Sequence, residues 1–199
     1  VSPQRERILK AAASLFARDG YHGAGMAQLE QEVGLKRGAL YHHIGNKESL
    51  LYEISRTQLE HMVGLATQIA DEAPDEAECL RRMARALLRN IADHRLEWTV
   101  HYRDFNALTG ERLRHVLELR DRYAEIWQRV YASGAARGIF QPAEPRVAVL
   151  GILGMFNYSY LWIEGDGRLD TDRIADLYCD IFLRGVLLAP RPAPPSSEE

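Results

Sequence analysis

Cysteine is nearly absent: Cys79 and Cys179 stand far apart among 199 residues, with no CxxC pair and no Cys/His cluster, which excludes a disulfide scaffold and a cysteine zinc site. Long apolar runs are missing as well. The strongest, Val147 to Ile163, has 17 residues and is interrupted by Asn157 and Ser159, short of a membrane span. The first seven residues lack the apolar segment of a signal peptide. The expectation is therefore a protein of a reducing cytoplasm with no membrane partner. No HExxH pair, nucleophile elbow or phosphate-cradling glycine loop occurs. His42, His43, His61, His94, His101 and His115 with nearby carboxylates leave a helical metal-dependent enzyme as an alternative, but none forms a metal motif. The expectation is a non-enzyme with no cofactor and no metal.

What is present is a chain 46% hydrophobic and 27% charged, which excludes disorder throughout. Its charge is uneven. Residues 1–52 carry seven basic and five acidic side chains, net +2, and the rest carries 18 basic and 23 acidic, net −5. All three lysines, Lys10, Lys36 and Lys47, fall in the first 47 residues. A basic module joined to a larger acidic one points to an anionic partner for the N-terminal part alone.

Apolar spacing follows the helical period almost everywhere and the strand period nowhere, so the fold class is all-α. Ser2-Pro3 opens a first helix whose stripe is Ile8, Leu9, Ala12, Leu15 and Phe16, stopped near Gly20. Met26, Leu29 and Val33 give a short second helix broken by Gly34, and Arg37 to His43 a third that stops around Gly45. Asn46 caps a long fourth helix running to about residue 70. Further helices are predicted near 75–93, 95–107, 110–137, 144–164 and 171–188, with Gly165-Asp166-Gly167 in the last joint. The domains read as a three-helix head at 1–46, a helical body at 47–189 with residues 47–70 as its linking helix, and a disordered tail at 190–199.

Met26 to Ile44 is helix, tight glycine turn, helix, with Leu29, Val33, Leu35, Leu40 and Ile44 placed to pack the pair together. Gly34 supplies the positive φ of the turn. The outward side then offers Lys36, Arg37, Tyr41, His42 and His43, residue types that contact phosphates and base edges. Lys47 adds a cation beside a helix N-terminus, a phosphate clamp. Tyr41 and His43 have a second reading, as a partly core residue and a helix-terminal cap.

These residues carry a resemblance. Gly20-Tyr21 followed by Gly34-Leu35-Lys36-Arg37-Gly38-Ala39-Leu40-Tyr41-His42-His43-Ile44-Gly45-Asn46-Lys47-Glu48-Ser49-Leu50 resembles the DNA-binding domain of the TetR family of transcriptional repressors, densely over residues 5–52. The resemblance implies a three-helix DNA-binding head on a helical, ligand-binding, dimerising body. It also implies a DNA-facing set of Gly25, Gln28, Lys36, Arg37, Ala39, Tyr41, His42, His43 and Lys47. Two positions depart from the family: Ala24-Gly25 and Ala39 stand where it commonly has Thr or Ser, so two hydroxyl contacts are missing. Lys36 and Arg37 add charge at the phosphates, and strongly salt-dependent binding is expected.

In the body, two apolar stripes need partners: Val147, Leu150, Gly151, Gly154, Met155, Tyr158 and Leu161 on one helix, and Ile174, Leu177, Tyr178, Ile181, Phe182 and Gly185 on the last. A four-helix seam with a second copy satisfies them, and its interface set is Val147, Leu150, Gly151, Gly154, Tyr158, Ile174, Tyr178, Ile181 and Phe182. Packing within one chain is the alternative. A homodimer would set two recognition helices about 34–36 Å apart on a near-palindromic double-stranded operator.

Trp98, Tyr102 and Phe105 on one helix, with Tyr123, Trp127 and Tyr131 on another, face Phe156, Asn157 and Tyr160. They read either as an apolar cavity with a few hydrogen bonds or as core filling. His101, Arg103 and Asp104 belong to its mouth or to a solvated face. The runs His101 to Phe105, Leu119 to Tyr123, Gly138-Ile139-Phe140 and Asn157 to Trp162 are similar to TetR-type regulators of fatty-acid and sterol breakdown that respond to acyl-CoA thioesters. That similarity implies an acyl-CoA inducer, its chain among the rings and Arg103 near the CoA phosphates. A lipophilic drug or aromatic acid is the other reading.

Overall fold

The structure, a computed structural model, describes residues 2–163, 167 and 169–186. Nine α-helices follow one another with no β-strand among the described residues: α1 Pro3–Asp19, α2 Met26–Val33, α3 Arg37–Ile44, α4 Lys47–Glu72, α5 Glu76–Asp93, α6 Arg95–Asp104, α7 Gly110–Ala136, α8 Pro145–Asn157 and α9 Thr171–Val186. The expected tail at 190–199 and the Gly165-Asp166 part of the joint before α9 lie outside the described residues.

The helix ends are local chemistry. Ser2 accepts the Arg5 N–H at 3.3 Å, with Pro3 in the first turn, and α1 ends at Gly20, φ 77°. Gly34 closes α2 in the left-handed region, φ 64° and ψ 31°, where a Cβ is disfavoured. Asn46 accepts the Ser49 N–H at 2.8 Å and starts α4, a helix of 26 residues and so about 39 Å long.

Two helices are shorter than their apolar spacing predicts. The stretches expected over 95–107 and 144–164 give way to 3-10 turns at Phe105–Ala107 and Tyr158–Leu161. In the second, the carbonyls of Tyr160 and Leu161 accept from the Arg95 guanidinium at 3.2 and 3.4 Å, which gives the unwound turn partners its own helix no longer supplies.

One continuous core runs through head and body. Ile8, Ala12, Leu15, Phe16, Leu29, Val33, Leu40 and Ile44 knit α1, α2 and α3. The α4 helix passes from that cluster into the body, where it packs along α7 and against α5 and α6. Arg81, Arg85 and Arg89 on α5 pair in antiparallel order with Asp180, Asp176 and Asp172 on α9, the first two at 2.6 and 2.8 Å. Gly134 is needed for space: a Cβ there would lie 2.4 Å from the Phe140 ring. Cys79 and Cys179 are buried free thiols, and burial pushes them up to about 11 and about 12.

Candidate DNA-reading head and effector cavity

Lys36, Arg37, Ala39 and His42 are exposed on and just before α3, while Tyr41 and His43 are half-buried. The Arg37 guanidinium lies over the Tyr41 ring, 5.6 Å from its centre. Gly25 caps α2, its N–H donating to the Gln28 side chain at 2.7 Å, so Gln28 serves the cap as well as facing solvent. Lys47 is half-buried with its ammonium 4.6 Å from the centre of the Tyr21 ring and 5.8 Å from that of Phe16. Desolvation lowers its pKa, with Asp104 acting the other way. Arg5 and Arg7 were absent from the sequence-derived set. Their guanidiniums donate to the carbonyls of His43 and Val33 and so cap α3 and α2 from α1.

Two polar clamps hold the head on the body. In the first, Arg103 of α6 donates to the Ala17 carbonyl at 2.9 Å and to the Phe16 carbonyl, the last turn of α1. Asp104 accepts the Tyr21 N–H at 3.2 Å. In the second, Glu48 at the start of α4 accepts the Thr109 N–H at 2.8 Å and hydroxyl at 3.0 Å. Arg112 donates to Glu48 at 3.0 Å, Asn46 at 3.2 Å and Ser49 at 2.8 Å. The Glu48 carboxyl is accordingly lowered, by the Thr109 N–H above all. Of the two readings of Arg103 and Asp104, pocket mouth or solvated face, the pocket mouth is thus corrected: both side chains turn to the head, where Arg103 meets the Ala17 carbonyl and shares the Phe16 carbonyl with the Gly20 N–H, and Asp104 takes the Tyr21 amide.

Between α6, α7 and α8 lies a cavity of about 360 Å³ bordered by Trp98, His101, Tyr102, Tyr123 and Asn157, all in the sequence-derived set, and by Arg120, Leu117 and Leu153. Tyr102 stacks between Trp98 (5.3 Å) and Tyr160 (5.1 Å). Phe105 stacks on His101 at 5.5 Å. Trp98 donates to the buried Asn90 side chain at 2.8 Å. His101 is fully buried with neither ring nitrogen bonded. Burial, and then the Arg120 charge, pushes its pKa down to about 3, so the ring is neutral. The Tyr123 hydroxyl and Asn157 Oδ1 are likewise without partners. Burial raises the phenol, and the nearby Trp127 indole offsets this without completing a bond.

Trp127 and Phe156 sit behind this wall, 6.2 Å apart and both fully buried. Tyr131 is a correction. It stacks on Phe140 at 5.4 Å and its hydroxyl donates to the Gln141 carbonyl at 3.0 Å, which makes it a core tie apart from the cavity. A helical spacing of four keeps Tyr123, Trp127 and Tyr131 on one flank but spreads them along the axis by about 6 Å per step.

Val147, Leu150, Tyr158 and Ile181 are between 58 and 66% exposed, and Gly151 and Gly154 face open space. Tyr178 and Phe182 are half-buried. Ile174, expected on the same seam, is instead 8% exposed in the core of its own chain, drawn in where α9 packs on α5. Among the described residues, no group of three or more His, Cys, Asp or Glu could hold a metal ion, and no helix is long and apolar enough to cross a membrane.

Against this geometry, residues 8–54 match the domain described as bacterial regulatory proteins, tetR family, and residues 73–186 match the tetracyclin repressor-like C-terminal domain. The chain belongs to the TetR family. It is 26% identical to the HTH-type transcriptional repressor KstR2 of Rhodococcus jostii (strain RHA1), over 93% of this chain and 92% of that one. Among solved TetR structures, PfmR from Thermus thermophilus superposes with a TM-score of 0.84 at 32% identity, covering 89% of this chain and 97% of that one. AibR, in complex with isovaleryl coenzyme A and operator DNA, gives 0.81 at 26% identity with the same coverages. As in the rest of the TetR family, an N-terminal helix-turn-helix head sits on a helical body, and the chain is a transcriptional repressor by kinship.

Proposed function

We propose that this TetR-family repressor acts in the cytoplasm as a homodimer on a near-palindromic operator and is released when an apolar or acyl-CoA-type effector enters the α6–α7–α8 cavity. The observation that carries this reading is that cavity and clamps share two helices. His101 and Tyr102 border the cavity, while the next two residues, Arg103 and Asp104, hold α1 and Tyr21. Arg120 and Tyr123 border it on α7, whose first turns hold α4 through Thr109 and Arg112. A ligand that shifts α6 against α7 re-aims both clamps and hence the recognition helix α3. Release requires a ligand that prefers the re-aimed arrangement, and about 1–3 kcal/mol of coupling suffices.

For the DNA side, the reading assigns Gly25, Gln28, Lys36, Arg37, Ala39, Tyr41, His42, His43 and Lys47 to the operator face, with Lys47 leaving the Tyr21 ring to reach a phosphate. For the effector, AibR's occupancy by isovaleryl coenzyme A supports the thioester class. The cavity of about 360 Å³ has room for an acyl group, with a nucleotide handle left outside.

Selection of bound duplexes from a randomised pool, followed by anisotropy titration with and without acyl-CoA thioesters, tests the reading. The expected result is two inverted half-sites one helical turn apart, with affinity lowered by at least one thioester. Recovery of a single unpaired half-site, or of no preferred sequence, sinks it.

A further inference from the structure

The cavity-bordering residues His101, Tyr123 and Asn157 give their end of it hydrogen-bonding atoms, closed to solvent, but no charge. His101 Nδ1 and Nε2, the Tyr123 hydroxyl and Asn157 Oδ1 are buried without partners, and groups of this kind are costly to leave unpaired. The neutral imidazole donates from one nitrogen and accepts at the other, so this end suits an uncharged carbonyl or hydroxyl oxygen.

The rim is different. Among the described residues bordering the cavity, Arg120 is the sole Lys or Arg. Its guanidinium lies over the Phe105 ring, 4.5 Å from the centre, and Phe105 in turn stacks on His101. It takes part in no ion pair among those of the described residues. Its neighbour Asp121 also borders the cavity but is exposed, and one residue of helix turns the two side chains about 100° apart. A guanidinium steadied by a ring, with its N–H fork unclaimed, is the geometry that receives a carboxylate or phosphate in two parallel hydrogen bonds.

We propose that the cavity selects an effector with an apolar body, an uncharged oxygen set among His101, Tyr123 and Asn157, and an anionic group received by Arg120. This rests on the effector-released reading above. The shared chemistry is an acyl group tied to an anion, which a free organic acid supplies through its carboxylate and a coenzyme A thioester through its phosphates.

The test is calorimetric titration of the full-length protein with octanoate, octanamide and octanoyl-coenzyme A, and with phenylacetate and phenylacetamide, beside operator release by each. The acid or the thioester is expected to bind roughly ten- to a hundred-fold tighter than the matched amide, and which of the two does so identifies the source of the anion. Arg120→Met should erase that difference, and Arg120→Lys should restore part of it. Tyr123→Phe should weaken octanoyl-coenzyme A, whose thioester carbonyl is separate from its anion, and the amides. The melting temperature of each variant without probe reports whether it folds. Equal binding of the amide, the acid and the thioester, or equal loss of all three in R120M, overturns the proposal. Release of the operator by amides alone overturns it while leaving the effector-released reading intact, and binding by none of the probes overturns the two together.

Discussion

Arg103 ties α6 to the last turn of α1, where its guanidinium takes the Ala17 carbonyl and shares the Phe16 carbonyl with the Gly20 N–H. Hydrogen bonds to a charged group contribute about 1.5–3 kcal/mol when sheltered. This side chain is 39% exposed, so Arg103→Ala should lower stability by only about 1 kcal/mol. The larger effect belongs to signalling: effector-induced loss of operator affinity should shrink several-fold, read by anisotropy at saturating effector. Unaltered response in the variant would remove the α6 clamp from the mechanism.

His101 makes a second residue-scale prediction. Its folded pKa of about 3 lies below the ordinary 6.5, so the unfolded chain binds a proton that the folded one refuses. Stability is therefore full above about pH 6.5 and declines as pH falls toward 3, by up to about 1.4 kcal/mol per pH unit. Urea melts at pH 7.5 and 5.5 should show this loss in the native chain and a smaller one in His101→Asn; equal pH slopes would mean that other groups set the acid sensitivity.

At the scale of elements, the α5–α9 pair is held by packing and by a charge ladder. The ladder side chains are between 27 and 60% exposed, and pairs of this kind contribute about 0–1 kcal/mol each. Asp176→Asn alone should therefore cost less than about 1 kcal/mol. Reversing Asp172, Asp176 and Asp180 to Lys replaces three attractions by three repulsions and should cost roughly 2–4 kcal/mol. Reversal of Arg81, Arg85 and Arg89 to Asp in the same chain should recover most of it, judged by the urea midpoint. Failure of the double reversal to recover stability would assign the helix pair to apolar packing alone.

The ladder also marks the limit of what the sequence makes legible. Arginines and aspartates at intervals of four are plain on the page, but which helix meets which is not. Helix ends are legible because Ser2, Gly20, Gly34 and Asn46 act on their own neighbours. The aromatic wall is legible as a face, since spacing fixes direction around a helix. Arg103, Tyr131 and Ile174 are misplaced by the same reading because their partners are set by tertiary contact: Arg103 reaches Phe16 across 87 positions, and no periodicity encodes that.

For the whole molecule, the exposed apolar face of α8 and α9 would, in the proposed dimer, join the cavity to the DNA. Leu150 and Gly154 belong to that face and also border the cavity, so in the proposed dimer a ligand pressing on α8 would bear on the seam between copies. Val147 and Ile181 are 66 and 64% exposed, which means that a charge placed there disturbs little of the chain's own core. Val147→Glu and Ile181→Glu should each keep native helicity and melting behaviour, yet shift sedimentation from dimer to monomer as the buried carboxylate repels its symmetry mate. Operator binding should then weaken, and it should also lose salt sensitivity. Each head releases its own counterions, and the slope of log K against log salt is about −0.9 per phosphate neutralised, so a single head should give about half the slope of the pair. A full slope in a chain that sediments as a monomer would mean that one head makes all the phosphate contacts. Dimers persisting in both variants would place the seam on another surface.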